Sequence, residues 1–218
     1  MAITADGKIA TADRAISSFG SKRDHEHLLE LRATADAVMA GARTVDLNPV
    51  NMGPGPAKFR RRRLRAGFNE YNLRVIVSGS GSIHPKAEIF RHQFSPVIIL
   101  TTEAIGPGRL ATLRQRADAV QTFGKRSIDF RAAFRWLYEK WKVRRLLCEG
   151  GGSLNGALFE QDLIDEIHLT ICPKIVGGRS APTIADGADV LCLSDARRFK
   201  LAATRREGDE LFVVYRRA

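Results

Sequence analysis

The stretch Leu146-Leu147-Cys148-Glu149-Gly150-Gly151-Gly152-Ser153-Leu154 constrains this chain more than any other. A short apolar run that reads as a strand passes into three glycines and then into a helix over 153–161, with Leu154, Ala157 and Leu158 facing inward. Glycines let a backbone bend sharply and come close to a ligand. Ser153 can cap the helix, and the unpaired N–H groups of a helix start favour phosphate. Glu149 falls at the carboxyl end of the strand, where open α/β sheets hold their ligands. By itself the pattern also suits a connection with no ligand. The fingerprint G-x-G-x-x-G does not follow the first strand, so an ordinary Rossmann domain is a weak reading.

Around this centre, strands and helices alternate. Residues from about Lys22 to Ala35 read as a helix with Leu28, Leu31 and Ala35 on one face, and a short strand over 37–40 follows. Pro49, Gly53, Pro54, Gly55 and Pro56 make 48–56 a loop that leads straight into a basic cluster. Strands are expected over 74–78 and 97–101, the first closed by Gly79-Ser80-Gly81-Ser82, and a helix over 109–117. Phe130, Ala133, Phe134, Leu137 and Trp141 recur at helical spacing and mark the clearest amphipathic helix, with a strand over 143–148 after it. Ile167, Leu169 and Ile171 then alternate with His168 and Thr170, as in a half-buried strand. Residues 199–204 and 211–215 pair across Glu207-Gly208-Asp209 as a hairpin. This order predicts an α/β fold: a mostly parallel central sheet with helices on both faces and an antiparallel C-terminal hairpin. A length of 218 residues suits one domain spanning 1–218.

Composition narrows the partners. The net charge is +11, and Lys58, Arg60, Arg61, Arg62, Arg63 and Arg65 supply more than half of it from one stretch without an acid. Such a cluster suits nucleic acid, a membrane surface or a phosphorylated small molecule. Only Phe59 and Phe68 accompany the arginines, too few aromatics for a base-stacking platform, so nucleic-acid binding is the weaker reading. No apolar run approaches the roughly 20 residues that span a bilayer. Asp6 and Lys8 interrupt any leader-like start, which makes the cytoplasm the default compartment. Cys148, Cys172 and Cys192 form no C-x-x-C, so neither a disulfide framework nor a metal site is expected. His25 and His27 do not share a helix face and read as solvated surface, and His168 is given no role.

Two further stretches are weak alone. Thr4-Ala5-Asp6-Gly7-Lys8-Ile9-Ala10 reads as a turn with a solvated lysine, and Gly41-Ala42-Arg43-Thr44-Val45-Asp46-Leu47-Asn48-Pro49 as a short helix start after a strand. Taken in order with Leu31-Arg32-Ala33, Cys148-Glu149-Gly150-Gly151-Gly152, Asp165-Glu166-Ile167, Pro173-Lys174 and Gly177-Gly178, they resemble the pyrimidine reductases of the riboflavin pathway. That family is the reductase half of a bifunctional deaminase-reductase and also exists free-standing, with a dihydrofolate-reductase-like fold. The resemblance runs from Thr4 to Tyr215, and the deaminase half is absent from this chain.

The resemblance implies an NADPH-dependent enzyme. It would reduce 5-amino-6-(5-phosphoribosylamino)uracil, or its diamino-pyrimidinone precursor, to the ribitylamino product, with hydride delivered to the opened ribose at C1′. It implies catalytic roles for Lys8 and Glu149 and substrate contacts at Asp6, Arg32 and either Asp46 or Asn48. Cofactor contacts are implied at Thr44, Gly79, Gly151, Gly152, Ser153, Leu154, Asn155 and Gly156. A homodimer is expected, both from the family and from strand edges that need covering. The chain departs from the pattern in three places. Ala15 precedes Ile16-Ser17-Ser18 where the family has an aromatic residue, Thr44 to Pro49 is one residue short, and 51–65, read as a basic loop, is unlike the family's phosphate segment. These departures keep open a same-fold NADPH reductase acting on another substrate, such as a pterin or other imine.

Overall fold

The computed structural model describes residues 1–14 and 19–218; the Ala15-Ile16-Ser17-Ser18 departure lies outside them. In chain order the elements begin β1 (Ala2–Thr4), α1 (Lys22–Arg32), β2 (Ala37–Gly41), α2 (Ala42–Leu47), α3 (Ala57–Arg65), β3 (Leu73–Val77), β4 (Val97–Thr101) and α4 (Pro107–Arg114). They continue with β5 (Ala119–Thr122), α5 (Phe130–Trp141), β6 (Leu146–Cys148), α6 (Gly152–Glu160), β7 (Glu166–Cys172), β8 (Phe199–Glu207) and β9 (Glu210–Arg217). The chain divides into two compact units, one of 28–149 and one of 1–27 with 150–218.

Unit 28–149 is built on a parallel sheet in the order β5-β4-β3-β2-β6. Ala37 to Ala40 and Val97 to Thr101 are buried without alternation, as strands covered on both faces must be. Val38, Ala40, Ile76 and Ile99 pack with Val45, Ile89 and Leu113 in one core layer. α5 appears over the residues its spacing predicted: Asp129 caps it by accepting the Ala132 N–H at 3.0 Å, and Phe130, Ala133 and Leu137 are buried.

Several boundaries differ from the sequence expectation. α1 stops at Arg32, not Ala35, and its buried residues are Leu29 and Arg32 instead of Leu28 and Leu31. α4 starts earlier, with Pro107 in its first turn. β5, an Ala-Val-Gln-Thr strand with two apolar residues, was not expected at all. The basic cluster is not loop but the helix α3: Phe59 turns inward against Leu29 and Ala33, and Arg63, four residues on, is buried as well.

Unit 1–27 with 150–218 carries a second sheet, β1-β7-β9-β8, in which β1 runs parallel to β7 and the other pairs are antiparallel. The five-stranded parallel sheet and the C-terminal hairpin therefore belong to separate hydrogen-bonded sheets. Gly208, at φ 59°, makes the hairpin turn, and a register shift between Leu201 and Ala203 bends β8. Ser21 caps α1, accepting N–H groups of Arg23 and Asp24 at 3.1 and 3.2 Å, and is itself held by Glu210 at 2.6 Å. His27 is not solvated surface: its ring lies edge-on to Phe212 at 5.4 Å and 5.8 Å from His168. No disulfide joins the cysteines, and no metal-binding cluster occurs among the described residues. No described helix is long and apolar enough to cross a membrane.

Candidate active site

In unit 28–149 the site begins where β6 ends. Glu149 follows that strand, and its N–H donates to the Met39 carbonyl at 2.8 Å, extending the β2 pairing by one residue. Its carboxylate is gripped from α1 by Arg32, whose Nε and Nη2 donate to the two oxygens at 2.6 and 2.7 Å. Nη1 of Arg32 donates to the Gly53 carbonyl at 2.9 Å, fastening the proline-glycine loop to the same guanidinium. The side chains are 10% and 14% exposed, so this is a forked ion pair near the limit of solvent reach. Burial pulls the Arg32 pKa down, but the charge and hydrogen bonds of Glu149 outweigh it and hold the guanidinium above its ordinary value.

The other residues expected on this unit sit at the carboxyl ends of β2 and β3. Thr44 lies half-buried in α2, and its carbonyl accepts the Asn48 side-chain N–H at 2.8 Å, so Asn48 closes that helix. Asp46 Oδ1 accepts the His84 N–H at 2.9 Å. Both alternatives for that substrate contact, Asp46 and Asn48, thus already serve a main-chain group. Gly79 follows β3, its carbonyl taking the Thr102 hydroxyl at 2.7 Å, and Arg109 donates to the neighbouring Ser80 carbonyl at 3.2 Å.

In unit 1–27 with 150–218, Gly7 takes φ 78° and lets Thr4 to Lys8 fold into a tight turn. Asp6 accepts the Thr4 hydroxyl at 2.5 Å and the N–H groups of Val176 and Gly177 at 3.2 and 2.7 Å. These bonds, the Thr4 hydroxyl first, hold its carboxyl down at about 2. Asp6 is exposed but committed to the turn and to the loop after β7. Lys8 Nζ donates to the Ala181 carbonyl at 3.2 Å, and its main chain bridges Thr183.

The glycine turn separates into two kinds of position. α6 is capped by Gly151 with no side-chain hydrogen bond, and Ser153, expected as the cap, lies exposed within the first turn. A Cβ added at Gly151 meets nothing within 4 Å, whereas one at Gly152 falls 2.4 Å from Asp186 Oδ2 and one at Gly156 falls 1.8 Å from the Asp186 carbonyl. Gly152 and Gly156 are therefore small because 183–187 packs on the helix, and Asn155 joins that packing by donating to the Ile184 carbonyl at 2.7 Å. Leu154 is a core residue, 8% exposed. Only the backbone at Gly151 and the exposed Ser153 face open space. Asp186, beside Gly152, keeps a buried Oδ2 with no hydrogen-bond partner among the described residues.

Sequence reasoning missed Arg63 and Arg74 as interior groups. Arg74 donates to the carbonyls of Ile89, His92 and Ser95 and lies 4.4 Å above the Phe94 ring, with burial lowering its pKa to about 10. Nothing in a basic run marks which arginine turns inward, apart from its spacing from Phe59. Arg61, Arg62 and Arg65 remain exposed.

Residues 1–213 match the family model described as the RibD C-terminal domain. A 2,5-diamino-6-ribosylamino-4(3H)-pyrimidinone 5′-phosphate reductase of Methanothermobacter thermautotrophicus is 33% identical over 214 residues, 98% of this chain and 94% of that protein. Among solved structures, a pyrimidine reductase-like protein of Corynebacterium diphtheriae matches with a TM-score of 0.80 at 21% identity, over 100% of this chain and 89% of that one. RibD of Acinetobacter baumannii matches with a TM-score of 0.77 at 20% identity; all of this chain is covered, but only 56% of that one.

Proposed function

Since the chain belongs to the RibD C-terminal domain family, and is thereby a pyrimidine reductase of riboflavin biosynthesis, we propose that it reduces 2,5-diamino-6-ribosylamino-4(3H)-pyrimidinone 5′-phosphate to the ribitylamino product. The Arg32–Glu149 pair at the end of β6 carries this reading. A carboxylate offers about four lone-pair positions, and the fork occupies one on each oxygen. The remaining positions suit the amino and amide N–H groups of a pyrimidine, which present donors in a row. Arg32 fixes the plane of that carboxylate. Glu149 thus orients the ring and accepts its protons.

A family reductase works with a reduced nicotinamide, and here we take it to be NADPH. The start of α6, which no side chain caps, and the open space at Gly151 fit a diphosphate. On unit 28–149, Thr44 and Gly79, at the ends of β2 and β3, keep the cofactor roles the resemblance implies, and Arg109 at Ser80 and the exposed Arg43 are cations suited to a phosphate. When bound, the cofactor supplies hydride for the ribose C1′. Lys8 holds a proton at Nζ for the sugar oxygen, and Asp6 fixes the turn that presents Lys8. Residues 1–218 act as one reductase domain; a single family model covers 1–213.

Purified protein with NADPH should consume the cofactor when given the diamino-pyrimidinone phosphate. The uracil analogue and a pterin are the comparisons. Turnover of the pterin alone would move the chain to another substrate class, and equal rates with NADH would remove the assignment of NADPH.

We also assign a homodimer. β8 is an edge strand whose Leu201 is 58% exposed, and Leu211 on β9 is 39% exposed, a combination that calls for cover.

A further inference from the structure

Arg63 is 1% exposed, although it stands in a run that reads as surface charge. Its Nη1 donates to the carbonyls of Arg32 at 2.8 Å and Ala35 at 2.6 Å, and its Nε to the carbonyl of Asn69 at 2.9 Å. Its guanidinium carbon lies 5.3 Å from the centre of the Phe68 ring. Arg32 and Ala35 bracket the end of α1, where carbonyls run out of helical partners and the helix dipole is negative. A cation from a neighbouring helix meets both needs at once. The residue whose carbonyl is held there is the one whose side chain forks onto Glu149.

The other half of the pair is anchored from the same corner. Asp36, next to Ala35, accepts the N–H groups of Arg144 and Arg145 at 2.9 and 2.8 Å, and those residues lead into β6 and Glu149. Burial lowers the Arg63 pKa, and the charge of Asp36 opposes that shift.

We propose that Arg63 is a positioning residue for the pyrimidine: by pinning the carbonyls of Arg32 and Ala35 at and just past the end of α1 it sets the point from which Arg32 reaches Glu149 and Gly53. The role rests on the reading that Arg32 and Glu149 meet the substrate. It requires arginine, because an ammonium carries all its donors on one nitrogen, whereas the carbonyls of Arg32 and Ala35 are met by Nη1 and that of Asn69 by Nε, on separate arms of a rigid plane.

The test is steady-state kinetics of Arg63→Lys, Arg32→Lys and the double variant, with thermal unfolding of each. Arg63→Lys should raise the KM for the pyrimidine about tenfold, as small misplacements in a site do, and leave the KM for NADPH within about twofold. A merely structural arginine would lower the melting temperature and leave the KM of the folded enzyme alone, which overturns the proposal. So does a double variant whose KM effect is the product of the two single ones. If Arg32→Lys itself leaves the pyrimidine KM unchanged, the substrate reading fails. Non-additive melting shifts between positions 32 and 63 then still decide whether Arg63 positions Arg32. Should Arg63→Lys not fold, Phe68→Leu loosens the guanidinium while keeping its donors, and a pyrimidine-specific KM rise is again required.

Discussion

A guanidinium and a carboxylate that hold each other at 2.6 and 2.7 Å, with little of either exposed, cannot be separated without leaving one charge stranded. Glu149→Gln should therefore destabilise the fold by about 3 kcal/mol, and Arg32→Met by a similar amount, while the double change to Met and Gln should cost less than their sum. Urea unfolding of the three variants checks this, and kcat/KM should fall in all of them. Asp6 answers to pH. Its folded-state pKa, about 2, lies below its ordinary 3.8, so its contribution is complete above that ordinary value and fades as pH falls towards 2. The melting temperature of Asp6→Asn, measured against wild type from pH 5 down to about pH 2, should show the difference between them closing over that interval. Lys8 and Arg32 are singled out in the sequence only through family resemblance, whereas Glu149 also stands out by its place between an apolar strand and three glycines. The Arg32–Glu149 contact joins residues 117 apart in the chain, and no local pattern reports such a distance.

Elements were legible where one pattern dominated. α5 carries a cap, an apolar stripe and a left-handed close at Lys142, so spacing alone found it. α3 was hidden because arginines count as surface in any periodicity, and the inward one is held by carbonyls of residues that precede it by about thirty positions. β5 has too little apolar content to stand out. The glycine turn before α6 shows a different limit: the sequence prints the same letter for a glycine that clears a path and one that lets two segments touch. Substitution separates them. Gly156→Ala drives a Cβ to 1.8 Å from a main-chain oxygen and should lower stability by roughly 1–3 kcal/mol, as overpacked sites do. Gly151→Ala, at φ −74° with open space around it, should leave stability nearly unchanged and raise the KM for NADPH. Thermal unfolding set beside cofactor titration distinguishes the pair.

For the whole molecule, the expected α/β architecture, with its parallel sheet and antiparallel C-terminal strands, is present; the division of those strands between two sheets was not legible, because alternation reveals a strand's faces and not its neighbours. A dimer of this 24.1 kDa chain should sediment at twice that mass, and Leu201→Glu should return it to a monomer in the same experiment. The outermost strand says how such a pair can form. β8 exposes Lys200, Arg205 and Arg206 and carries no acid before Glu207, so two such strands laid edge to edge bring like charges together. In the proposed dimer the copies would meet through the leucines on the flat of the sheet, while the charge on the edge strand would oppose zipping strand onto strand into an endless ribbon.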